Sequence, residues 1–474
     1  TFETNEGAET VLFTAKYHDT RAIGKLTVTG GNYICKTNQA LLCDRYNNSE
    51  KYVGTASIAG GTFSSKPGDK YIAAGYEVKE NEDGTWTVGK AASATFAAQV
   101  DGVMYPTLDA AIRAADENAI VKVLGNVTGQ VVIPAGKNLT LDLNGNTITH
   151  SGTAIINNGT LIVKNGAVVS TQNCGIGVGS NSKTTILRDV TVTAQESAVI
   201  TSKSTGASII IEGGIFNSTD NAVIAGNGSE RDGEPNTIII KDGTFNGGIT
   251  SGGYVACGIY APWKDEITVK GGTFNIKGGA GIVARAGQVT VDGGTFTCTG
   301  DMTGMVGDSR VLVPCAALVF DSKTNYPALN EGSVILVNNG TFTVDSNVAV
   351  AHEVKAAENP NPHISIQGGS FSGDPSDYVA SGYGVKNENG VYTVTEPVAA
   401  INNIKYATLA AAINAAQSGE TVKLLRDAIG SGISTPDKGT FRESLTIDFD
   451  GHTYTMENPA VGSTGTETQA MHWG

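Results

Sequence analysis

The chain has 474 residues with a formal net charge of −14, and it contains 61 glycines but only 13 prolines. The acidic balance and the absence of clustered Lys or Arg argue against nucleic-acid binding and against a polybasic membrane patch. No apolar run approaches the ~18 residues of a transmembrane helix. The abundance of Gly, Thr, Asn, Ser, Val and Ile predicts short strands joined by tight turns, and the acidic, weakly charged surface suits a soluble extracellular polymer.

Residues 1–88 are interpreted as the C-terminal part of one repeat module. A short motif, in which a β-branched strand leads into Gly-Gly, a polar residue and an aromatic residue, ends at Tyr33 and again at Phe63. A closing segment follows, and its Asn-to-Gly turn predicts a β-hairpin. The two copies of this closing segment are residues 63–88 and 371–394.

A second recurring segment opens a module with a short amphipathic helix. Thr107 and Thr408 are the expected N-caps, because they precede Leu and Ala-Ala-Ile at helical spacing. An apolar strand follows the helix in each copy. The two copies of this opening segment are residues 105–128 and 406–429.

Between the opening and closing segments, the strand-turn-aromatic motif repeats with a spacing that indicates the fold. From Val168 onward the steps are 24, 24, 29, 29, 22, 46 and 29 residues, and the 46-residue step is interpreted as two coils of 23. A unit of this length forms one coil of a solenoid, which buries its apolar face only against its neighbours. The motif ends at Val168, Val192, Phe216, Phe245, Phe274, Phe296, Phe342 and Phe371.

These segments predict an all-β chain that folds as a right-handed parallel β-helix, or β-solenoid. Each module is expected to carry a short helical N-terminal cap and a β-hairpin C-terminal cap, which protect the exposed sheet edges. The predicted divisions are the end of one module (1–88), a complete module (97–394, with helix cap about 105–118, coils about 121–371 and hairpin cap about 376–394) and the truncated start of a further module (399–474).

The motifs also carry a family resemblance. Tyr-x-Thr-Leu-x-x-Ala-Ile-x-x-Ala, then Leu-Asp-Leu-Asn-Gly-x-Thr-Ile, then repeated Gly-Gly-Thr-Phe resemble the pectin-lyase-like β-helix repeats of large secreted surface proteins from gut-dwelling Gram-positive bacteria. The resemblance covers nearly the whole chain. It implies an extracellular or cell-surface location, with the signal and the anchor outside this fragment, and it implies no particular activity.

Polysaccharide lyases and glycoside hydrolases use the same fold, so a carbohydrate-active enzyme is one alternative. A polygalacturonase-like site needs paired carboxylates, and the Asp-Asp, Gly-His-Gly and Arg-x-Lys motifs are absent, although Asp220 supplies one acid. The Arg residues near Asp189 and Asp232 assemble no recognisable calcium-dependent lyase site. We therefore predict no catalytic residue, no metal and no cofactor. A phage tailspike or another fibre-forming subunit is the second alternative.

The candidate binding residues lie in the longer coils. Tyr254, Tyr260 and Trp263 are in the insertion before Phe274, where exposed aromatic rings would stack on sugars; the competing interpretation is that they pin the loop to the solenoid. The longest insertion, residues 301–331, is a second candidate face, through Asp301, Met302, Arg310 and Tyr326.

The six cysteines include two pairs that are close in sequence. Cys35–Cys43 and Cys298–Cys315 are possible disulfides in an oxidising compartment, and buried thiols are the alternative. No CxxC motif is present, so a structural zinc site is not expected.

The predicted function is an extracellular structural or adhesive repeat module of a bacterial surface protein. Its expected partners are host or dietary glycans or host surface proteins, with no nucleic acid and no direct membrane insertion. The sequence leaves the oligomeric state open.

Overall fold

We describe the fold from a computed structural model of the chain. It describes residues 2–3, 10–14, 24–34, 40–43, 53–91, 95–201, 203–226, 233–248, 257–300, 303–306, 311–321, 332–345, 348–354, 362–430 and 444–456. The chain is an all-β parallel solenoid of about 11 turns, and helix accounts for only 6% of it. The predicted fold class is confirmed. The chain divides into two compact units.

The first unit comprises residues 1–149 and 160–167. One five-stranded sheet lies near its start, with the strands in the order Phe2–Glu3, Lys25–Ile34, Thr55–Phe63, Trp86–Lys90 and Tyr76–Glu80. The first three of these strands are parallel, and the last two form the predicted antiparallel hairpin. A short parallel pair is formed by Thr10–Phe13 and Ala40–Cys43, and a 3-10 turn by Asp69–Tyr71.

The opening segment of the same unit begins with an antiparallel pair and a helix, Leu108–Ala114. The hydroxyl of Thr107 accepts a hydrogen bond from the Ala110 amide at 3.2 Å, so the predicted N-cap is confirmed. The strands that follow, Ala119–Val123 and Asn138–Asp142, pair in parallel. The other strands are Ala98–Val100, Val103–Tyr105, Val127–Thr128, Val131–Ile133 and Thr160–Lys164, while Thr147–His150 and Gly166–Ser170 contribute residues to both units.

The second unit comprises residues 150–159 and 168–474, and most of its coils contribute one strand to each of three parallel sheets. The first sheet contains Lys183–Ile186, Ser208–Ile211, Thr237–Ile240, Glu266–Val269, Gln288–Val291, Ile335–Val337 and Ile364–Ile366. The second sheet contains Val190–Ala194, Ile215–Ser218, Thr244–Gly248, Thr273–Lys277, Thr295–Thr299, Thr341–Val344 and Gly369–Phe371. The third sheet contains Ile155–Asn157, Ile176–Val178, Val199–Thr201, Ile224–Gly226, Cys257–Ala261, Ala280–Ala284, Ala316–Asp321 and Ala349–Val354.

The predicted closing and opening segments recur at the end of the second unit. The hairpin Gly384–Glu388 and Val391–Thr395 pairs with the last strand of the second sheet. A new helix, Leu409–Ala415, then begins after Thr408, whose hydroxyl accepts a hydrogen bond from the Ala411 amide at 3.0 Å. The remaining elements are Ser376–Tyr378, Ala399–Ile401, Ile404–Tyr406, Thr421–Leu424, Ala428–Gly430, Thr446–Asp448 and Tyr454–Met456.

A ladder of stacked phenylalanines fills the core beneath the second sheet. Neighbouring rings lie 4.4–5.0 Å apart at their centroids and are nearly parallel. The turn before each ring needs Gly: at Gly272 the φ of 100° disfavours a side chain, and a Cβ would lie 3.0 Å from the Phe245 ring. The ladder consists of Phe216, Phe245, Phe274, Phe296, Phe342 and Phe371, all fully or almost fully buried.

One predicted coil length is wrong. Phe296 pairs directly with Phe342 in parallel register, and their rings stack at 5.0 Å. The 46-residue step is therefore a single coil that carries a long insertion, and not two coils of 23. Part of the insertion is an antiparallel hairpin, Thr303–Val306 with Val311–Pro314.

The three sheets of the second unit differ in how much of their surface is covered. In the first and second sheets, buried and solvent-facing residues alternate. In the third sheet, residues of both parities are buried: Ile282 and Leu318 are 0% exposed, and their neighbours Val283 and Val319 are 1% and 0% exposed. Both faces of the third sheet are thus covered, whereas the outer face of the second sheet meets solvent. No helix in the described part of the chain is long and apolar enough to span a membrane.

Candidate functional site

The aromatic residues predicted to bind sugars lie in a packed environment. Trp263 is only 2% exposed and packs against Ala286. Tyr260 is half-buried on the outer side of the third sheet, beside a buried cluster that includes Ala225, Val283 and Val319. Tyr254 lies outside the described residues. Trp263 therefore presents no open ring for a sugar, which corrects the expectation of an exposed stacking platform and fits the competing interpretation of loop packing.

Tyr260 is held by a neighbouring guanidinium. Nη1 of Arg285 donates to the Tyr260 hydroxyl at 3.4 Å, from one coil further along the sheet. Burial raises the pKa of Tyr260 to about 12, and the positive charge of Arg285 opposes the rise. The phenol therefore stays protonated at physiological pH. A glycan-binding role for Tyr260 remains a prediction.

The packing role of Trp263 gives a testable expectation. Trp263→Ala is expected to lower stability by about 3–5 kcal/mol, because a large buried side chain is removed. Trp263→Phe is expected to cost much less, because Nε1 of Trp263 has no hydrogen-bond partner among the described residues and phenylalanine keeps most of the contact area. Urea denaturation of both variants checks this, and equal destabilisation by the two would contradict it.

The second predicted face, residues 301–331, is described only in part. Asp301, Met302, Arg310 and Tyr326 lie outside the described residues. The inserted hairpin supplies backbone pairing between Thr303 and Pro314 but no described side chain. The role of this face stays a prediction.

Of the two predicted disulfides, only Cys298–Cys315 has both side chains within the described part of the chain, and this bridge is not formed. Cys298 and Cys315 are separate buried thiols, and burial raises the pKa of Cys298 to about 12. Such thiols behave as small apolar side chains and have little thiolate reactivity. The bridge predicted for Cys35 and Cys43 lies outside the described side chains.

Buried polar side chains line the corner between the third and first sheets. Asn236 bridges successive coils there, with Nδ2 donating to the Ser204 carbonyl and to Oδ1 of Asp265, both at 2.9 Å. Oδ1 of Asn236 accepts from the Ala207 amide at 3.0 Å. This arrangement satisfies backbone groups at the turn and fixes how the coils stack.

Asp265 belongs to the same corner, and one of its two carboxylate oxygens lacks a hydrogen bond from the described residues. It is 0% exposed, and its Oδ2 has no hydrogen-bond partner among the described residues. Burial raises the pKa of Asp265 from 3.8 to about 7, although hydrogen bonds from Asn236 and from the Trp263 backbone oppose the rise. Gly226 lies against the carboxyl, since a Cβ at Gly226 would be 2.1 Å from Oδ2. The packing leaves no room beside that oxygen for a ligand.

Two further charged pairs follow along later coils of the second unit. Nε of Arg285 lies 3.7 Å from Oδ2 of Asp321, and Nδ1 of His363 lies 2.8 Å from Oε1 of Glu353. All four side chains are at most 5% exposed. Carboxylates thus occur on neighbouring coils, but they are paired and buried, and a polymer in solution does not reach them.

Metal binding finds no support in the part of the chain that the structure describes. No group of three or more His, Cys, Asp or Glu side chains converges among those residues.

The outer face of the second sheet carries the most regular surface chemistry. The residues on either side of Val192 and of the ladder phenylalanines from Phe216 to Phe342 point outward, as does Ser370 before Phe371, and parallel pairing places them in register from coil to coil. We call these two rows the polar face. Its first row is Thr191, Ile215, Thr244, Thr273, Thr295, Thr341 and Ser370, and its second row is Thr193, Asn217, Asn246, Asn275, Thr297 and Thr343.

Hydrogen bonds between coils orient the amides of the second row. Nδ2 of Asn217 donates to Oγ1 of Thr193 at 3.1 Å, and Nδ2 of Asn246 donates to Oδ1 of Asn217 at 2.9 Å. Asn275 continues the chain by donating to Oδ1 of Asn246 at 2.9 Å. Each such contact uses one of the two amide hydrogens, so a second N–H remains for a ligand.

The spacing of the polar face follows from sheet geometry. Equivalent side chains of adjacent coils lie about 4.8 Å apart, and the two rows lie about 7 Å apart. Neither row contains a charged residue. The arrangement offers a repeated, uncharged set of hydroxyl and amide groups, which suits an extended ligand with the same kind of groups.

Our sequence interpretation used the Thr-Phe motif only as a core marker and missed this face. The signal was present, because strict alternation around a buried Phe places both of its neighbours on the surface.

Comparison with family models, with curated proteins and with solved structures finds no match to this chain. The pectin-lyase-like assignment and the bacterial gut origin therefore stay predictions. The solenoid itself rests on the strand pairing described above.

Proposed function

We propose that this chain is an extracellular structural and adhesive repeat module that binds uncharged polysaccharides along its polar face. The observation that supports the proposal is the in-register repetition of hydroxyl and amide side chains on successive coils of the second sheet. A polymer lying along the rows meets the same groups at every coil. Several weak contacts on one chain then add up through effective concentration.

The charge pattern favours an uncharged polymer. The two rows provide no ion pair for a charged ligand, and the net charge of −14 disfavours approach by a polyanion. Hydroxyl and amide groups both donate and accept hydrogen bonds, as sugar hydroxyls do. The methyl groups of Thr and the exposed side chain of Ile215 add apolar contact for the C–H faces of sugar rings.

The packed core of the solenoid supports a structural role for the chain. Parallel strand pairing and the phenylalanine ladder hold the coils in a fixed register, so the rows form a preorganised surface. A rigid surface loses little conformational freedom on binding, which improves affinity for a given set of contacts.

Removing hydroxyls from the polar face tests this function. The triple variant Thr273→Val, Thr295→Val and Thr341→Val keeps β-branched side chains of similar shape but loses three hydroxyl groups. We expect at least a tenfold loss of affinity for neutral insoluble polysaccharides. Depletion of the protein from solution by cellulose, chitin and mannan measures the effect.

A matched control lies on the first sheet of the same coils. Thr268 and Thr290 pair in register there and are half-buried at the solvent-facing positions of their strands. The double variant Thr268→Val, Thr290→Val is expected to bind as the wild type does. Equal binding of the triple variant and the wild type to these polysaccharides would contradict the proposal.

A further inference from the structure

A groove in the first unit combines the features of a small-ligand site. It has a volume of about 500 Å³ and is bounded by the strands Lys25–Ile34 and Thr55–Phe63 and by the opening segment around the helix Leu108–Ala114. Ligand sites usually measure ~300–1,000 Å³ and mix apolar walls with a few polar groups. The size and the mixed lining of this groove fall within that description.

Different elements bring charged groups to the groove. Lys25 comes from a coil strand, and its ammonium group contacts the carboxylate of Asp116, beyond the end of the helix. Arg113 comes from the last turn of the helix, where Nε lies 2.8 Å from Oδ2 of Asp109. Asp101 sits in a tight turn with a φ of 48°. The side chains of Lys25, Arg113 and Asp116 are more than half exposed, so a ligand can reach them.

Uncharged groups complete the lining. Hydroxyls are supplied by Thr27, Thr29 and Ser57, and an aromatic wall by Tyr105. Tyr105 is half-buried and packs with Tyr76 against the apolar cluster of Ala59, Ala73 and Val103. The ring is therefore held in place by the fold, as a stacking platform requires.

The second copy of the opening segment shows which of these residues the fold itself requires. That copy forms the same antiparallel pair and helix, and it keeps the counterparts of Tyr105 and Thr107 as Tyr406 and Thr408. The charged residues differ between the copies: Asp101, Arg113 and Asp116 correspond to Asn402, Asn414 and Gln417. The fold forms without these charges, so they are not needed to build the opening segment and are available to contact a ligand.

The combined chemistry indicates the ligand. The charged side chains that line the groove are two cations and two anions, and this balance favours an uncharged ligand rich in hydroxyl groups over an ionic one. Carboxylates accept hydrogen bonds from sugar hydroxyls, Lys and Arg donate to them, and the tyrosine ring packs against a sugar's C–H face. We propose that this groove is a second binding site, specific for a short neutral oligosaccharide and separate from the polar face.

The second copy also supplies the variant that tests the site. Asp101→Asn, Arg113→Asn and Asp116→Gln introduce the residues that the other opening segment carries, so the fold should be retained. Isothermal titration of the full chain with neutral tetrasaccharides of glucose, galactose, mannose and N-acetylglucosamine measures binding. We expect one of them to bind the wild type and to bind the triple variant at least tenfold more weakly.

A control variant removes a different exposed ion pair. Lys386 and Glu388 contact each other at 2.8 Å in the closing hairpin, and Lys386→Gln with Glu388→Gln should leave the titration unchanged. The proposal is overturned if no tetrasaccharide binds the wild type, if an acidic peptide binds in preference, or if the groove variant binds as the wild type does. Loss of tetrasaccharide binding in the Thr→Val variant of the polar face would also overturn it, since a single site would then explain both activities.

Discussion

Phe274→Ala is expected to lower the free energy of unfolding by about 3–5 kcal/mol, because it removes a large buried side chain and leaves a cavity. Phe274 is fully buried, and its ring centroid lies 4.4 Å from those of Phe245 and Phe296. The substitution interrupts the ladder between Phe245 and Phe296. Stacked aromatic pairs contribute about 0.5–1.5 kcal/mol beyond burial, which places the expected loss toward the upper end.

The midpoint of urea denaturation measures this effect. Lys277→Ala, an exposed position on the same strand, is the matched control and is expected to change stability by no more than ~0.5 kcal/mol. A midpoint for Phe274→Ala close to that of the control would mean that the ladder does not hold the coils together.

Asp265→Asn is expected to make the protein more stable at neutral pH but not in acid. The folded-state pKa of Asp265, about 7, lies above its ordinary value of 3.8 because the carboxyl is buried. Between these two values the unfolded chain has released the proton while the folded chain keeps it. The unfolded state then binds fewer protons, so the stability of the wild type falls as the pH rises through this window.

The size of the Asp265 effect follows from the same two values. The wild type loses up to about 4 kcal/mol between pH 4 and pH 7 through this one group. Asparagine cannot ionise. Its Nδ2 amide group then occupies the position of Oδ2, which has no hydrogen-bond partner among the described residues. Burial of this unpaired amide group costs about 1–3 kcal/mol. A net gain of about 1–3 kcal/mol is therefore expected at pH 8.

Urea denaturation of the wild type and of Asp265→Asn at pH 4, 6 and 8 tests this expectation. The difference in unfolding free energy should grow from pH 4 to about pH 7 and then level off. Asp292→Asn, on the exposed surface, is the control and should change stability by no more than ~0.5 kcal/mol. A difference for Asp265→Asn that does not change with pH would contradict the buried, proton-retaining carboxyl.

Much of the solenoid was predictable because its physics is local and repeated. The Gly-Gly-Thr-Phe motif encodes a turn, an outward residue and an inward ring, and stacking of equal units then follows from the need to bury each ring. The helix caps at Thr107 and Thr408 could also be predicted from the sequence, because capping involves only residues within one turn.

The errors arose where tertiary context decides. The 46-residue step contains an insertion, and spacing alone does not distinguish one long coil from two short ones. Trp263 was a candidate sugar platform because it lies in an insertion, but its ring is buried, and whether an aromatic ring faces solvent depends on what packs over it. Cys298 and Cys315 are near in sequence, yet they are separate thiols in the structure.

The two candidate sites differ in how far sequence could reveal them. The polar face follows from alternation around each Phe, so it was available from the sequence although our interpretation passed over it. The groove was not, because it joins Lys25 on a coil to Asp116 and Tyr105, which are about 80–90 residues away in the chain. Its charged residues stand out only when the two opening segments are compared on a known backbone.

Binding of an uncharged polymer by the uncharged, repeating polar face is the main feature of the proposed function. Its most direct test is the binding of the wild-type protein to cellulose, chitin and mannan at low and at high ionic strength, with pectin as an acidic comparison. Binding to at least one neutral polymer is expected, with an affinity that salt leaves unchanged, since the polar face carries no charged residue. Binding to pectin alone, abolished by salt, or no binding to any of the four polymers, would contradict it.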